Sequence, residues 1–416
     1  MQPLRGFRDI HHPDAAMYSA IEHTLIQISE AFGYTEIRLP ILEQIDLFKR
    51  SVGEHTDIIG KEMYHFSDQN EQVIALRPEG TASATRAMIN AGLVGRGSAK
   101  WWYCGPMFRR ERPQKGRYRQ FTQFGIEFYG QDNISADLEL IMLSWQALGA
   151  LKLSEHVKLH INFLPKAAAR KAYIIDLQSY LKTQESKLPA DVVQRAIDNP
   201  LRVLDSKDPA VIECLTAAPK LSDYLADDEK TQIQMVSDVL SASGIEFSWD
   251  PLLVRGLDYY AGIVFEWQST TLGAQSAVCG GGRYDQLTAQ LDAKPWPATG
   301  LSFGIDRLTL MCQTLGVQFP SKTRIALIID GMNLSDAFTI QKQWQSHFDL
   351  HAHLDHSTSS PKKAIQRAQK QGHRYVLILR EDHYVIKDLE AFTEAKLNIT
   401  QSLAPTIQHF FQKETS

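Results

Sequence analysis

Cysteine is scarce in this chain: four among 416 residues, at Cys104, Cys214, Cys279 and Cys312. No two of them stand in a C-x-x-C spacing. That excludes a disulfide framework and a cysteine-held zinc site, and reduced thiols are the expectation. Long apolar runs are missing too. None approaches the roughly 20 residues that span a bilayer, and the opening MQPLRGFRDI carries no apolar signal-like core. A cytoplasmic protein is expected on both counts. Excess charge is also absent, the formal net charge being −4. Overall charge therefore attracts no polyanion, and any nucleic-acid surface must be local. Internal repeats and low-complexity tracts are not found.

What is present is ordinary globular composition, 44% hydrophobic and 22% charged, in a length that suggests two or three domains. DAAMYSAIEHTLIQISEAFGY has apolar residues at helical spacing and stops at Gly33. TEIRLP follows as a short strand. KEMYHFSDQNEQVIALRPEG reads as a hairpin turning at residues 68–70. KWWYCGPMFRRE and RQFTQFGIEFYG are two strands flanking a basic loop, residues 136–151 an amphipathic helix, and HVKLHINF a strand. From about 165 to 243 helical patterns dominate, which marks a helical insertion within a sheet domain. Strand character resumes at LLVRGLDYYAGIVFEW, and LSFGIDRLTLM passes from strand to helix. GVQFPSKT (316–323) is the linker candidate. Beyond it RIALIIDG, DLHAHLD and RYVLIL alternate with helical segments, so a small α/β domain with a largely parallel sheet is expected.

The densest charge anomaly is RRERPQKGRYR, residues 109–119. Arg109, Arg110, Arg112, Lys115, Arg117 and Arg119 stand against Glu111, a net of +5. It is either a solvated hairpin loop or a phosphate clamp, because arginine forks onto phosphate oxygens bidentately. On the next strand Gln123, Gly125 and Glu127 share one face by period two, and Phe124, Ile126 and Phe128 the other. Such a polar face meets solvent or lines a polar pocket. ALRPEGTAS puts Glu79 and Thr81 at a strand end. VCGGGRYDQL sets three glycines before Arg283, and GLSFGIDRL sets Asp306 and Arg307 at a strand–helix junction. Arg109, Arg255 and Arg307 thus fall at strand ends beside glycines and carboxylates. That set suits a reaction that brings two anions together, since fixed guanidinium charge offsets their repulsion and stabilises a pentacovalent phosphorus, with magnesium sharing the load.

In this order the motifs resemble those of a class II aminoacyl-tRNA synthetase, and specifically of the bacterial histidyl-tRNA synthetase family. FRRERPQKGRYRQFTQFGIEFYG resembles motif 2 with its loop, GLSFGIDRL motif 3, and the first helix with TEIRLP motif 1, which supports a homodimer in this class. VRGLDYY and CGGGRYD are similar to the two histidine-specific motifs, and NPLRVLDSKDP (199–209) to the family's helical insertion. The resemblance implies an α+β fold: an antiparallel six-stranded sheet with flanking helices and an insertion at about 165–243 in a catalytic domain over 1–320. It also implies an anticodon-binding α/β domain over 324–416. The implied reaction joins histidine and ATP into histidyl-adenylate and pyrophosphate, then passes histidine to the terminal adenosine of histidine tRNA. ATP enters with Mg2+ as a substrate complex, and no tightly bound cofactor or protein-held metal is implied.

Residue by residue, the resemblance gives Arg109 the α-phosphate, Glu111 the adenine edge and Arg307 the γ-phosphate. Arg255 lies near the histidine carboxylate and the α-phosphate and, with Arg109, carries catalysis. Glu79, Thr81 and Gln123 hold the α-amino group. Tyr259 joins the histidine site, in which Glu127 and Tyr260 pair the imidazole, so that side chains unable to satisfy both groups are rejected. Gln114, Lys115, Arg117 and Arg119 meet the acceptor end of tRNA. Asp258 has no assigned role. The chain departs from many bacterial members at Ala261–Gly262, where they carry Asn–Arg.

In the last domain Lys362, Lys363, Arg367, Lys370 and Arg374 cluster with no acid from His356 through Leu379. They form a solvated helix face or a phosphate-contacting one, with Lys363 and Arg367 as candidate tRNA contacts. His347, His351, His353 and His356 could suggest a metal set, but Leu350, Ala352 and Leu354 alternate with His351, His353 and Asp355, the pattern of a half-buried strand with a polar outer face. Two other functions compete with the ligase. One is the histidine-sensing regulatory subunit of ATP phosphoribosyltransferase, a paralogue that typically lacks the anticodon domain and the active-site arginines. The other is a paralogue that charges a different acceptor.

Overall fold

The computed structural model describes residues 1–398 apart from 54–55, 57, 207, 255–256, 258, 274–275, 320–322, 348–349 and 358–359. Two units divide the chain, Met1–Gln318 and Phe319–Ser416.

The first unit opens with α1 (Asp14–Ala31), whose Tyr18, Ile21, Leu25 and Ser29 are buried at spacings of three and four, one helical stripe. Three short strands, β2 (Leu42–Gln44), β3 (His65–Ser67) and β4 (Val73–Leu76), make a separate antiparallel sheet in the order β2-β4-β3. The expected hairpin is β3–β4; α2 (Ile45–Val52) precedes it and α3 (Thr81–Asn90) follows.

The main sheet has eight strands. Around β5 (Ala99–Phe108), β6 (Gln120–Tyr129), β7 (Val157–Leu164), β9 (Gly262–Ser269), β10 (Ala277–Arg283) and β11 (Ala298–Gly304) the order is β5-β6-β11-β10-β9-β7, antiparallel throughout. The six-stranded antiparallel sheet is thus its centre. Two short strands extend it in parallel at the edges, β1 (Thr35–Glu36) on β5 and β8 (Phe247–Trp249) on β7. Helix α4 (Ile134–Ala150) covers one face, and Trp267 reaches it with an indole N–H to Ser144 Oγ at 2.8 Å.

Between β7 and β8 lie α5 (Ala167–Thr183), α6 (Ala190–Asp198), α7 (Pro209–Leu215) and α8 (Asp227–Ala242), with no strand among the described residues. This insertion is fused to the sheet rather than hung from it. Tyr173, Leu177 and Leu181 of α5 share one buried cluster with Tyr129, Tyr259, Tyr260 and Tyr284. The unit closes with α9 (Leu287–Gln290) and α10 (Ile305–Leu315), the latter stopped by Gly316 in the left-handed region.

In the second unit β12 (Thr323–Ile329), β13 (Leu350–Asp355) and β14 (Tyr375–Leu379) are parallel, with α11 (Leu334–His347) and α12 (Pro361–Lys370) between them. The sheet is mixed, not largely parallel. A hairpin of β15 (His383–Asp388) and β16 (Thr393–Asn398) continues it antiparallel beyond β14. In β15 Tyr384, Ile386 and Asp388 are buried and His383, Val385 and Lys387 are not, an alternation that one inward aspartate obscures in the sequence. Among the described residues no helix is long and apolar enough to cross a membrane.

Candidate functional site

Glu127 is the centre of the site. It sits on β6 with no solvent exposure, so the polar face of that strand lines a pocket. A carboxylate buried this deeply needs donors, and three hydroxyls supply them. Thr81 Oγ1 donates to Glu127 Oε1 at 2.8 Å and Tyr103 OH to the same oxygen at 2.9 Å. Tyr284 OH donates to Oε2. Burial still dominates, with the Glu79 charge nearby adding to it, and pushes the Glu127 carboxyl up to about 8 against the three hydroxyls.

Neighbouring backbone makes this possible. Register sets Tyr103 of β5 opposite Gly125 of β6. A Cβ on Gly125 would stand 2.1 Å from the Tyr103 ring, so only glycine lets that ring cross to Glu127. Gly300 of β11 pairs with Glu127, and a Cβ there would meet Oε2 at 1.9 Å. The aromatic wall is Tyr259, Tyr260 and Tyr284, all buried, with ring centres 4.7 Å (259–260) and 5.6 Å (259–284) apart. The Tyr260 carbonyl accepts from Arg170 Nη1 of the insertion at 2.5 Å. Gly262 has φ +68 beside Arg283, a conformation that favours glycine.

Thr81 begins α3, and Glu79 lies two residues before it. The Glu79 carboxylate accepts the N–H groups of Thr81 at 2.6 Å and Ala82 at 2.9 Å, and burial raises its pKa despite them. Gln123 is two residues along the face from Gly125, and its Oε1 is buried with no hydrogen-bond partner among the described residues. Such an oxygen awaits a donor from a ligand.

Gln123 also lines a second space, a cavity of about 170 Å³ walled by Arg109, Glu111, Arg117, Asp306 and Arg307. Arg109 Nε donates to the Pro78 carbonyl at 2.8 Å, which fixes the side chain over Phe121. Arg307 Nη1 donates to the Ala277 carbonyl at 2.6 Å. Glu111 is gripped by Arg117 and lies 3.9 Å from Arg109 Nη1. With Arg117 held by Glu111, the guanidinium groups of Arg109 and Arg307 and the backbone at Gly280 line the same cavity and suit an anion.

The basic loop folds back on itself while Arg110 and Arg112 stay exposed. Gln114 and Arg117 close a backbone bridge, and Arg119 Nε donates to the Glu111 carbonyl at 3.3 Å. Gln114 and Lys115 are exposed, while Arg117 and Arg119 are half-buried. Arg283 does not face the cavity. Its guanidinium is spent on Asp137, Asp285 and the carbonyls of Gln131 and Asn133, tying β10 to α4. Arg255, Gly256 and Asp258 lie outside the described residues.

In the second unit Lys363 is exposed on α12, and Arg367 is paired to Asp355 at 2.8 Å. His351 and His353 are exposed at alternate positions of β13, and among the described residues no three His, Cys, Asp or Glu side chains form a metal set.

Sequence reasoning did not single out Tyr103 and Tyr284, whose hydroxyls donate to Glu127. Tyr284 sat within a quoted motif, CGGGRYD, just past the end of β10, while Tyr103, in the aromatic strand β5, reads first as core.

A profile described as histidyl-tRNA synthetase matches residues 6–308. The structure resembles apo S. aureus histidyl-tRNA synthetase with a TM-score of 0.78 at 28% identity, over 96% of this chain and 97% of that one. It also resembles an ATP phosphoribosyltransferase regulatory subunit/histidyl-tRNA synthetase from Bacillus halodurans C (TM-score 0.65, 20% identity, 90% and 97% covered). A third likeness is to histidyl-tRNA synthetase from Nostoc sp. PCC 7120 (0.69, 17%, 98% and 98%). The last two identities speak for the fold alone. The profile match spans most of the unit that holds Glu127 and the arginine cavity, and the chain belongs to the histidyl-tRNA synthetase family.

Proposed function

We propose that the protein is a histidine–tRNA ligase, forming histidyl-adenylate from histidine and ATP and then charging histidine tRNA. The observation that carries this reading is the junction at Gln123. A hydroxyl-lined buried carboxylate lies on one side of it and an arginine-lined cavity on the other. An amphoteric ring and a polyphosphate therefore have complementary places within one continuous site.

Histidine enters with its imidazole at Glu127 and its α-amino group toward Gln123 and Glu79. That leaves its carboxylate facing the cavity. ATP enters as its magnesium complex, with Arg109 on the α-phosphate and Arg307 on the γ-phosphate. A histidine carboxylate oxygen attacks the α-phosphorus, the bond to the β-phosphate bridging oxygen breaks, and pyrophosphate leaves. The arginines offset the repulsion between the anions and stabilise charge on the equatorial oxygens. Arg255 is assigned to the same charge by resemblance. In the second step a hydroxyl of the tRNA 3′-terminal adenosine attacks the acyl carbon and AMP leaves. Gln114, Lys115, Arg117 and Arg119 are assigned to the acceptor end, and Lys363 and Arg367 to the anticodon side. A homodimer in the cytoplasm completes the proposal.

The regulatory-subunit alternative is disfavoured by Arg109 and Arg307, which such a sensor does not need, and by the presence of a second α/β unit. Histidine-dependent ATP–pyrophosphate exchange, followed by charging of histidine tRNA, decides among the three readings. Exchange with charging supports the ligase. Histidine binding without exchange means a sensor, and exchange without charging means a different acceptor.

A further inference from the structure

Residues 5–8, ahead of the first helix, are tied to the basic loop and to the arginine cavity at once. The Arg119 backbone N–H donates to the Gly6 carbonyl at 2.8 Å, and its Nη1 donates to the Arg5 carbonyl at 3.3 Å. Gly6 has φ +89, and a Cβ there would stand 2.7 Å from Arg119 Cγ, so the segment lies directly on that side chain. Phe7 packs edge-on against Tyr64 at 6.3 Å. The Arg8 guanidinium lies 3.9 Å from the centre of the Tyr118 ring, and its Nη2 donates to Asp306 Oδ1 at 3.0 Å. Tyr18 OH donates to that same oxygen at 2.6 Å, and Asp306 Oδ2 takes the Thr122 N–H at 2.8 Å. Tyr118 and Asp306 both wall the arginine cavity.

A loop with a net charge of +5 repels itself and gains by spreading into water until an anion arrives. Contacts outside the loop help to hold it folded beside the cavity. Arg5 and Gly6 offer carbonyls to Arg119, which turns one cation away from the rest. Arg8 offers a flat cation to the Tyr118 ring while Asp306 balances its charge.

We infer that residues 5–8 are a strap, with Arg8 as its positioning residue, that holds the 109–119 loop in the conformation that receives the nucleotide triphosphate. Only the identity of the nucleotide rests on the ligase reading. Arg8 touches neither substrate nor reacting atom; it acts through Tyr118 and Asp306.

The experiment uses the full chain with Arg8→Ala, Tyr118→Leu, the double variant and Arg8→Lys. Two readouts are needed: the rate of tryptic cleavage after Lys115, and the KM for ATP in histidine-dependent pyrophosphate exchange. Arg8→Ala should speed the cleavage severalfold and raise the ATP KM on the order of tenfold, the size of a desolvated cation–π contact with its ion pair. The KM for histidine should move less than about twofold. Tyr118→Leu should act alike, the double variant should add little to either single change, and Arg8→Lys should restore part of the loss. Additive effects, or a fall in Tm with cleavage and ATP KM unmoved, would overturn the strap. If the unaltered protein shows no exchange, the ligase reading fails, and the cleavage rates still decide whether Arg8 holds the loop.

Discussion

Glu127→Gln separates what Glu127 does for histidine from what it does to the fold. The carboxyl has no solvent exposure and accepts three hydroxyl hydrogen bonds. In the native protein burial lifts its pKa from 4.5 to about 8. The native state therefore keeps a proton that the unfolded chain releases near the ordinary carboxylate value. The associated stability is full below that ordinary value and is lost as pH rises toward about 8, because native Glu127 binds more protons than unfolded Glu127 across this window. Glutamine does not titrate. Near pH 5 the amide mimics the protonated acid: its oxygen still accepts from Thr81 and Tyr103, and its NH2 donates to the Tyr284 oxygen. The variant should therefore match the parent at pH 5 within about 1 kcal/mol. It should then gain on the parent by up to about 1.4 kcal/mol per pH unit, levelling off above pH 8.

Histidine binding should move the other way. Above pH 8, where Glu127 carries its charge, loss of a hydrogen bond from imidazole to this charged acceptor costs about 1.5–3 kcal/mol, or roughly 10- to 150-fold in the KM for histidine. The ATP KM should be nearly untouched, because Glu127 does not line the arginine cavity. Urea denaturation at pH 5, 6.5 and 8 gives the stability arm, and pyrophosphate exchange at varied histidine gives the other. A histidine KM within twofold of the parent would refute the assignment of the imidazole to Glu127. A variant that grows steadily less stable than the parent from pH 5 to 8 would refute the buried-proton reasoning.

Two further outcomes follow from the same geometry, and a third from the roles proposed for Arg255 and Arg307. Gly300→Ala drives a methyl to 1.9 Å from Glu127 Oε2 and 2.8 Å from the Ile126 carbonyl; unfolding should become easier by about 1–3 kcal/mol and histidine binding should weaken, and an unchanged denaturation midpoint would contradict it. Asp137→Asn strips Arg283 of its main buried partner. Because Asp285 and two carbonyls remain, the loss in urea denaturation should lie near the low end of the range for a broken buried pair, about 3 kcal/mol, and a loss under 1 kcal/mol would mean the pair is dispensable. Arg255→Ala should slow single-turnover adenylate formation about 100- to 1,000-fold while ATP affinity changes little, and Arg307→Ala should chiefly weaken ATP. Collapse of ATP affinity in Arg255→Ala with the chemical step intact would reverse the two roles.

Much of this site was visible in the chain because it breaks local rules. A Gln and a Glu on an aromatic strand, and six cations in eleven residues, are anomalies at short range, and they marked Gln123, Glu127 and the 109–119 loop. Tyr103 and Tyr284 broke no such rule. Their hydroxyls meet Glu127 across 24 and 157 residues of sequence, separations at which periodicity carries no signal. Residues 5–8 were silent for the same reason, since a strap has no period and its partners are Arg119, Tyr118 and Asp306. The 383–398 hairpin hid behind the charges on its open face.

The missing information is strand register. Pairing Tyr103 with Gly125 puts a phenol over a glycine and its hydroxyl on the carboxylate two residues along. Pairing Gly300 with Glu127 clears the space that carboxylate occupies. A slip of one residue in either pair would turn a whole set of side chains to the other face. Tyr103 would then meet Phe124 or Ile126, and Glu127 would lose Tyr103 as a donor. The recognition chemistry resides in residues legible one at a time, but the pocket exists only in the register of β5, β6 and β11. Gly125 and Gly300 make that register sterically possible and Glu127 makes it costly to miss, since any other pairing strands a buried carboxylate.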